Sequence, residues 1–198
     1  MDRREAIKNI SVSLGYTITA PTILNVLSSC SGKEKSLDLV FLDETQKYMI
    51  DHLVDCILPI SETPGGLDVQ LSHFIDIMIR KTKTKKEQAL FDKGSRAFTN
   101  SFQKIYKKPP LEGSREEFRA LLDVYFNISR DKQDAIFEEL DHTSIIILEG
   151  KSKTVLIYNF LVEIRNYCLL GYYTSQLIVE NVMNQDSFTN GYLGCVNE

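Results

Sequence analysis

From Asp43 almost to the end of the chain, apolar residues recur at the three-to-four-residue spacing of an α-helix, and prolines and glycines cut that pattern into short lengths. Asp43 can cap a helix running to about Leu58, with Met49, Ile50, Leu53, Val54 and Ile57 on one broad face and Pro59 as its stop. A second helix, about Val69 to Arg80, places Leu71, Phe74, Ile75 and Met78 at i, i+3, i+4 and i+7. A third, about Lys86 to Tyr106, carries a stripe of Phe91, Phe98, Phe102 and Ile105 before Pro109-Pro110 forces an extended break. Ser114-Arg115-Glu116-Glu117 is a capping box that opens a helix through Phe118, Leu121, Leu122 and Tyr125. A short helix follows over Asp131 to Leu140. The longest spans about Thr154 to Leu170, with Gly171 as a break or kink before a last segment near Ser175 to Met183. Ile145 to Leu148 is β-branched enough for a strand, but no second strand signal exists to pair with it. The expected fold is all-α: one compact domain of about six helices over residues 43–198, with an irregular tail from Asn184 and no internal repeat.

Hydrophobic residues make up 43% of the 198 residues and charged residues 25%, enough apolar material for a core of that size. The net charge of −4 gives no electrostatic reason to expect nucleic-acid binding. The one basic run, Arg80 to Lys86, lies at a helix boundary without aromatic residues and reads as a solvated connector.

The first thirty residues follow different rules. Arg3-Arg4, then Ala6-Ile7 after one intervening residue and Lys8, look like a twin-arginine export signal, the address of proteins that cross a membrane already folded. The stretch Ile10 to Leu27 is only mildly apolar, being interrupted by Ser11, Ser13, Thr17, Thr19, Thr22 and Asn25. A spanning helix wants about twenty strongly apolar residues, so the stretch suits a signal peptide better. Leu27-Ser28-Ser29-Cys30 resembles a lipobox, in which Cys30 becomes acylated at the new amino terminus. Several acyl chains hold a domain to a bilayer where one is marginal. Residues 1–29 are therefore expected to be a leader and 30–42 a linker, placing the chain in the periplasm on a membrane by its lipid. Cys56, Cys168 and Cys195 remain; two of them could pair in an oxidising compartment, and the sequence does not choose which.

Catalytic chemistry is hard to find. No Gly-x-Gly-x-x-Gly supports a dinucleotide site, and no Cys-x-x-Cys-His supports covalent haem. Glu139-Leu140-Asp141-His142 is a single Glu-x-x-His step, whereas a di-iron bundle needs two plus further carboxylates. His142 also stands where a helix ends, a favourable place for a cation without any metal. His52 and His73 read as polar boundary residues beside apolar helical faces. No catalytic, cofactor-binding or metal-ligating residue is expected in this chain.

Two segments go beyond generic helices. One is Ile57-Leu58-Pro59-Ile60-Ser61-Glu62-Thr63-Pro64-Gly65-Gly66, followed by the helix carrying Phe74-Ile75-Asp76. The other is Gly171-Tyr172-Tyr173-Thr174-Ser175 with the tail Gly191-Tyr192-Leu193-Gly194-Cys195-Val196. In this order behind a twin-arginine leader, they resemble the gluconate 2-dehydrogenase subunit 3 family from about Phe41 to Val196. The resemblance implies a non-catalytic small subunit that assembles with, stabilises and co-exports a flavin-dependent (GMC-type) sugar or sugar-acid dehydrogenase. It implies FAD in that large partner, none here, and onward electron transfer to a cytochrome c subunit in some complexes. A lipid anchor departs from the family, which is better known for anchoring through its partners. The alternative is a free-standing envelope lipoprotein that binds a ligand or acts as a scaffold. Physically, Pro59 and Pro64 fix two φ angles, and Gly65 and Gly66 are expected to supply φ values that other residues resist. The turn would then be rigid enough to present Glu62, Thr63, Pro64 and Gly65 to a partner, or it simply turns the chain; for Tyr172, Tyr173 and Tyr192 an interface competes with core packing.

Overall fold

The computed structural model describes residues 38–141 and 153–182. Among them the chain is helical throughout, with seven α-helices and one 3-10 turn. They are α1 (Glu44–Ile57), α2 (Leu71–Thr82), α3 (Lys85–Tyr106), the 3-10 turn Pro110–Glu112, α4 (Arg115–Phe126), α5 (Arg130–Asp141), α6 (Lys153–Thr174) and α7 (Gln176–Asn181). The all-α expectation holds, and the last segment counts as a separate helix. The β-branched run Ile145 to Leu148, His142 and the tail from Asn184 lie outside the described residues.

Local chemistry sets the helix starts. Asp43 accepts from the Gln46 amide at 2.7 Å while Gln46 Oε1 accepts from the Asp43 amide at 3.0 Å, a reciprocal box that satisfies two otherwise orphaned donors. Thr84 with Glu87 and Ser114 with Glu117 repeat it at α3 and α4. Each such cap is worth about 1 kcal/mol. The basic run supplies both ends of a corner, Arg80 and Lys81 in the last turn of α2 and Thr84 as the cap of α3. It is not uniformly solvated. The Lys83 side chain is only 7% exposed, with its ammonium 2.5 Å from a Glu163 carboxylate oxygen on α6. Burial pushes the Glu163 carboxyl above its ordinary range, and the Lys83 ammonium pulls it back.

α6 is the axis of the bundle. It packs against α1, α2, α3, α5 and α7, and residues on several sides of it are buried: Ile157, Tyr158, Phe160, Leu161, Ile164, Tyr167 and Cys168. A helix buried on more than one side cannot show the single apolar stripe of a surface helix. Phe160 meets Phe91 at 5.0 Å and Phe98 at 5.8 Å, locking α3 to the axis. Phe102 stacks on Phe118 at 4.7 Å and brings in α4. Ile105 continues the α3 stripe in angle but is 48% exposed, because it falls in the helix's last turn.

Gly171 does not break α6, which runs on to Thr174. A Cβ built there would lie 2.7 Å from Phe74 Cδ1 and 2.8 Å from Leu71 Cδ2, closer than packed atoms tolerate. The glycine lets α2 and α6 approach each other, a requirement of tertiary packing that periodicity along one helix does not reveal.

Candidate functional site

The connection between α1 and α2 is built by its own backbone. The Gly66 amide donates to Leu58 O at 2.8 Å, the Leu71 amide to Gly66 O at 3.1 Å, and the Ser61 amide to Thr63 O at 3.1 Å. The Gly65 amide donates to Asp68 Oδ2 at 2.7 Å. Neither Gly65 nor Gly66 takes a left-handed φ, contrary to expectation. They are glycines because space is short: a Cβ at Gly65 would lie 2.7 Å from the Ile60 nitrogen, and one at Gly66 would lie 2.6 Å from Val54 Cγ1. The left-handed residue of this connection is Gln70, at φ 54°, which caps α2.

The two segments singled out in the sequence meet here. Tyr172, from the last turn of α6, donates its hydroxyl to Pro64 O at 2.7 Å and reaches Thr63 Oγ1 at 3.3 Å. A contact across 108 residues ties the turn to the axis of the bundle. Tyr172 is buried, so within this chain it shapes the corner from beneath. Thr63 and Pro64 are half-buried, Gly65 is buried, and Glu62 faces solvent. Around them Ile60 is 70% exposed, Leu67 45% and Tyr173 48%, with Tyr173 edge-on to Tyr172 at 5.5 Å. The corner therefore offers apolar and aromatic groups on a hydrogen-bonded backbone, with two exposed carboxylates among them, Glu62 and the Asp68 that holds the Gly65 amide. Tyr192, Arg3, Arg4 and Cys30 lie outside the described residues.

Elsewhere the titratable groups are absorbed into packing. His52 stacks on Phe118 at 4.9 Å and meets Tyr48 edge-on at 4.6 Å, and burial holds its imidazole below 6.5 against the pull of Asp51 and Asp55. His73 is buried, lowered for the same reason, and opposed by the charge of Asp76. The Cys168 thiol is wholly enclosed and pushed up to about 12 by burial. Cys56 is half-buried and raised by burial, so neither thiol is poised as a nucleophile. These two are free cysteines, and Cys195 lies outside the described residues. An open groove of about 320 Å³ is lined by Phe41, Asp43, Gln46, Gln88, Ala89 and Asp92. Its polar groups are already engaged: Gln46 Nε2 donates to Asp92, and Gln88 Nε2 to the carbonyls of Ile79, Arg80 and Lys83. Among the described residues no cluster of three or more His, Cys, Asp or Glu could hold a metal ion. No helix among them is long and apolar enough to cross a membrane.

Sequence reasoning missed the role of Asp76, which is 0% exposed. Its carboxylate accepts from the backbone amides of Val40 at 2.8 Å, Phe41 at 2.9 Å and Leu42 at 2.8 Å. The available signal was a charge embedded in the apolar run Phe74-Ile75-Asp76-Ile77-Met78-Ile79.

Residues 44–189 match the family model described as gluconate 2-dehydrogenase subunit 3. The match opens on the first residue of α1, takes in the turn, α6 and α7, and ends before the Gly191 to Val196 tail. No curated protein and no solved structure matches the chain.

Proposed function

We infer the role of this chain from the family to which it belongs, gluconate 2-dehydrogenase subunit 3, and from the corner that Tyr172 builds. An accessory subunit needs a surface that holds its shape before the partner arrives, because ordering a loop during binding weakens affinity. The Tyr172–Pro64 bond carries this reading: it links the two family-like segments and leaves Ile60, Glu62 and Tyr173 on the outside of a braced turn. We propose that this corner docks on a large flavin-dependent dehydrogenase, with FAD held by that partner, and that the chain stabilises it without catalysing a reaction itself. The partner oxidises a sugar or sugar acid and passes electrons on, in some assemblies to a cytochrome c.

We further propose that Arg3 and Arg4 send the assembled pair across the membrane and that an acylated Cys30 retains it on the periplasmic side. Twin-arginine export accepts folded cargo, which a flavoprotein must be if it loads its cofactor first. Replacing Arg3 and Arg4 together with lysine should strand both proteins in the cytoplasm, flavin bound. Fractionation with dehydrogenase assay and immunoblot reads this out. A partner that still reaches the periplasm in the double-lysine strain refutes carriage by this chain.

A further inference from the structure

We infer that Asp76 is the clamp that seats the N-terminal arm: its buried carboxylate, gripped by the amides of Val40, Phe41 and Leu42, holds residues 40–42 against the bundle at one fixed point ahead of α1. Both oxygens take part, Oδ2 for Val40 and Oδ1 for Phe41 and Leu42. Charge-assisted bonds of this kind are roughly twice as strong as neutral ones. Among the described residues no ion pair with Asp76 is formed, although the His73 imidazole lies within its field, and the three amides are its direct hydrogen-bond partners. Lifting the arm would strip the carboxylate of three charge-assisted donors at once. The arm is also packed: Leu42 is 5% exposed in the core, and Phe41 meets Phe91 edge-on at 6.1 Å. Val40, by contrast, is half-exposed.

Asp76 sits in the middle of α2, so the clamp exists only when α2 is packed. The anchorage of the arm therefore reports on the folding of the domain, a useful property in a chain exported after folding. That consequence rests on the export reading; the clamp does not. If Cys30 carries lipid, the ten residues from Cys30 to Val40, the first residue gripped, let the domain stand at most about 36 Å from the anchor. Release back to Asp43 would extend that reach to about 47 Å.

Amide hydrogen exchange on the full chain tests the clamp. The Val40, Phe41 and Leu42 amides belong to no helix, yet they should be protected at least about a hundredfold over unstructured chain. Asp76→Asn, which keeps the shape and removes the charge, should cost most of that protection while the interiors of α2 and α6 keep theirs. Val40→Pro deletes one donor from the half-exposed side and should speed exchange at Phe41 and Leu42 in the same way, which decides the matter if Asp76→Asn does not fold. Unprotected arm amides in the wild type overturn the clamp, as does unchanged protection in the variant that folds. Export is not read in this experiment, so failure of the leader assignment and failure of the clamp remain separate results.

Discussion

Replacing Gly171 with alanine sets two effects of opposite sign against each other. Alanine in a helix interior gains about 0.5–1 kcal/mol over glycine, because the unfolded chain loses less freedom on folding. Against this stands the geometry of the α2–α6 crossing: the new methyl would lie 2.7 Å from Phe74 Cδ1, 2.8 Å from Leu71 Cδ2 and 2.9 Å from Phe74 Cε1. Phe74 is 2% exposed and Leu71 1%, so neither can swing into solvent to make room. Overpacking at such a place costs about 1–3 kcal/mol, and the steric loss outweighs the propensity gain. A net destabilisation of about 1–2 kcal/mol is expected, which lowers the melting temperature by roughly 2–8 °C for a chain of this size. Urea unfolding should show a lower midpoint at an unchanged slope, because the fold keeps its compactness. A stabilised Gly171→Ala variant would falsify the close-packing account and leave Gly171 an ordinary helix position with room for a side chain.

Tyr172→Phe removes the hydroxyl that holds Pro64 O and should cost about 1 kcal/mol of stability. It should also weaken retention of the flavoprotein in an affinity pull-down, and unchanged retention would remove the braced turn from the interface. Lys83→Met leaves the half-buried Glu163, whose side chain is 19% exposed, without its ammonium and should destabilise the chain by about 1–3 kcal/mol at neutral pH. The sign with pH follows from burial, which raises the Glu163 carboxyl above its ordinary 4.5. The folded state then holds the proton better than the unfolded chain, so the stability linked to Glu163 is present below 4.5 and is lost as pH rises through the folded value. The Lys83→Met penalty should accordingly be larger at pH 8 than at pH 5 by thermal melts, and a penalty independent of pH would contradict it. Cys30→Ser should release the domain from the membrane fraction in a strain lacking the partner, whereas continued retention would place the anchor elsewhere.

The helices were legible in the sequence because their causes are local. The boxes Asp43–Gln46 and Ser114–Glu117 lie within one turn, and the spacing of Leu71, Phe74, Ile75 and Met78 is a property of α2 alone, so both can be read without knowing what packs where. The family was legible for a related reason, since the turn from Pro59 to Gly66 and the segment from Gly171 to Ser175 are continuous stretches of chain. What these stretches do depends on residues far away in sequence. Gly171 permits a helix crossing because Phe74 and Leu71 stand opposite it, and Gly65 and Gly66 supply room rather than unusual φ angles. Tyr172 supports the turn because α6 ends beneath it. Lys83 leaves its basic run for the interior because α6 brings Glu163 to meet it, and Asp76 is buried because the arm delivers three amides. A helix start is settled by hydrogen bonds within four residues. The pairing of buried polar groups and the clearance between helices are settled only when distant segments meet, and only the tertiary structure holds that information.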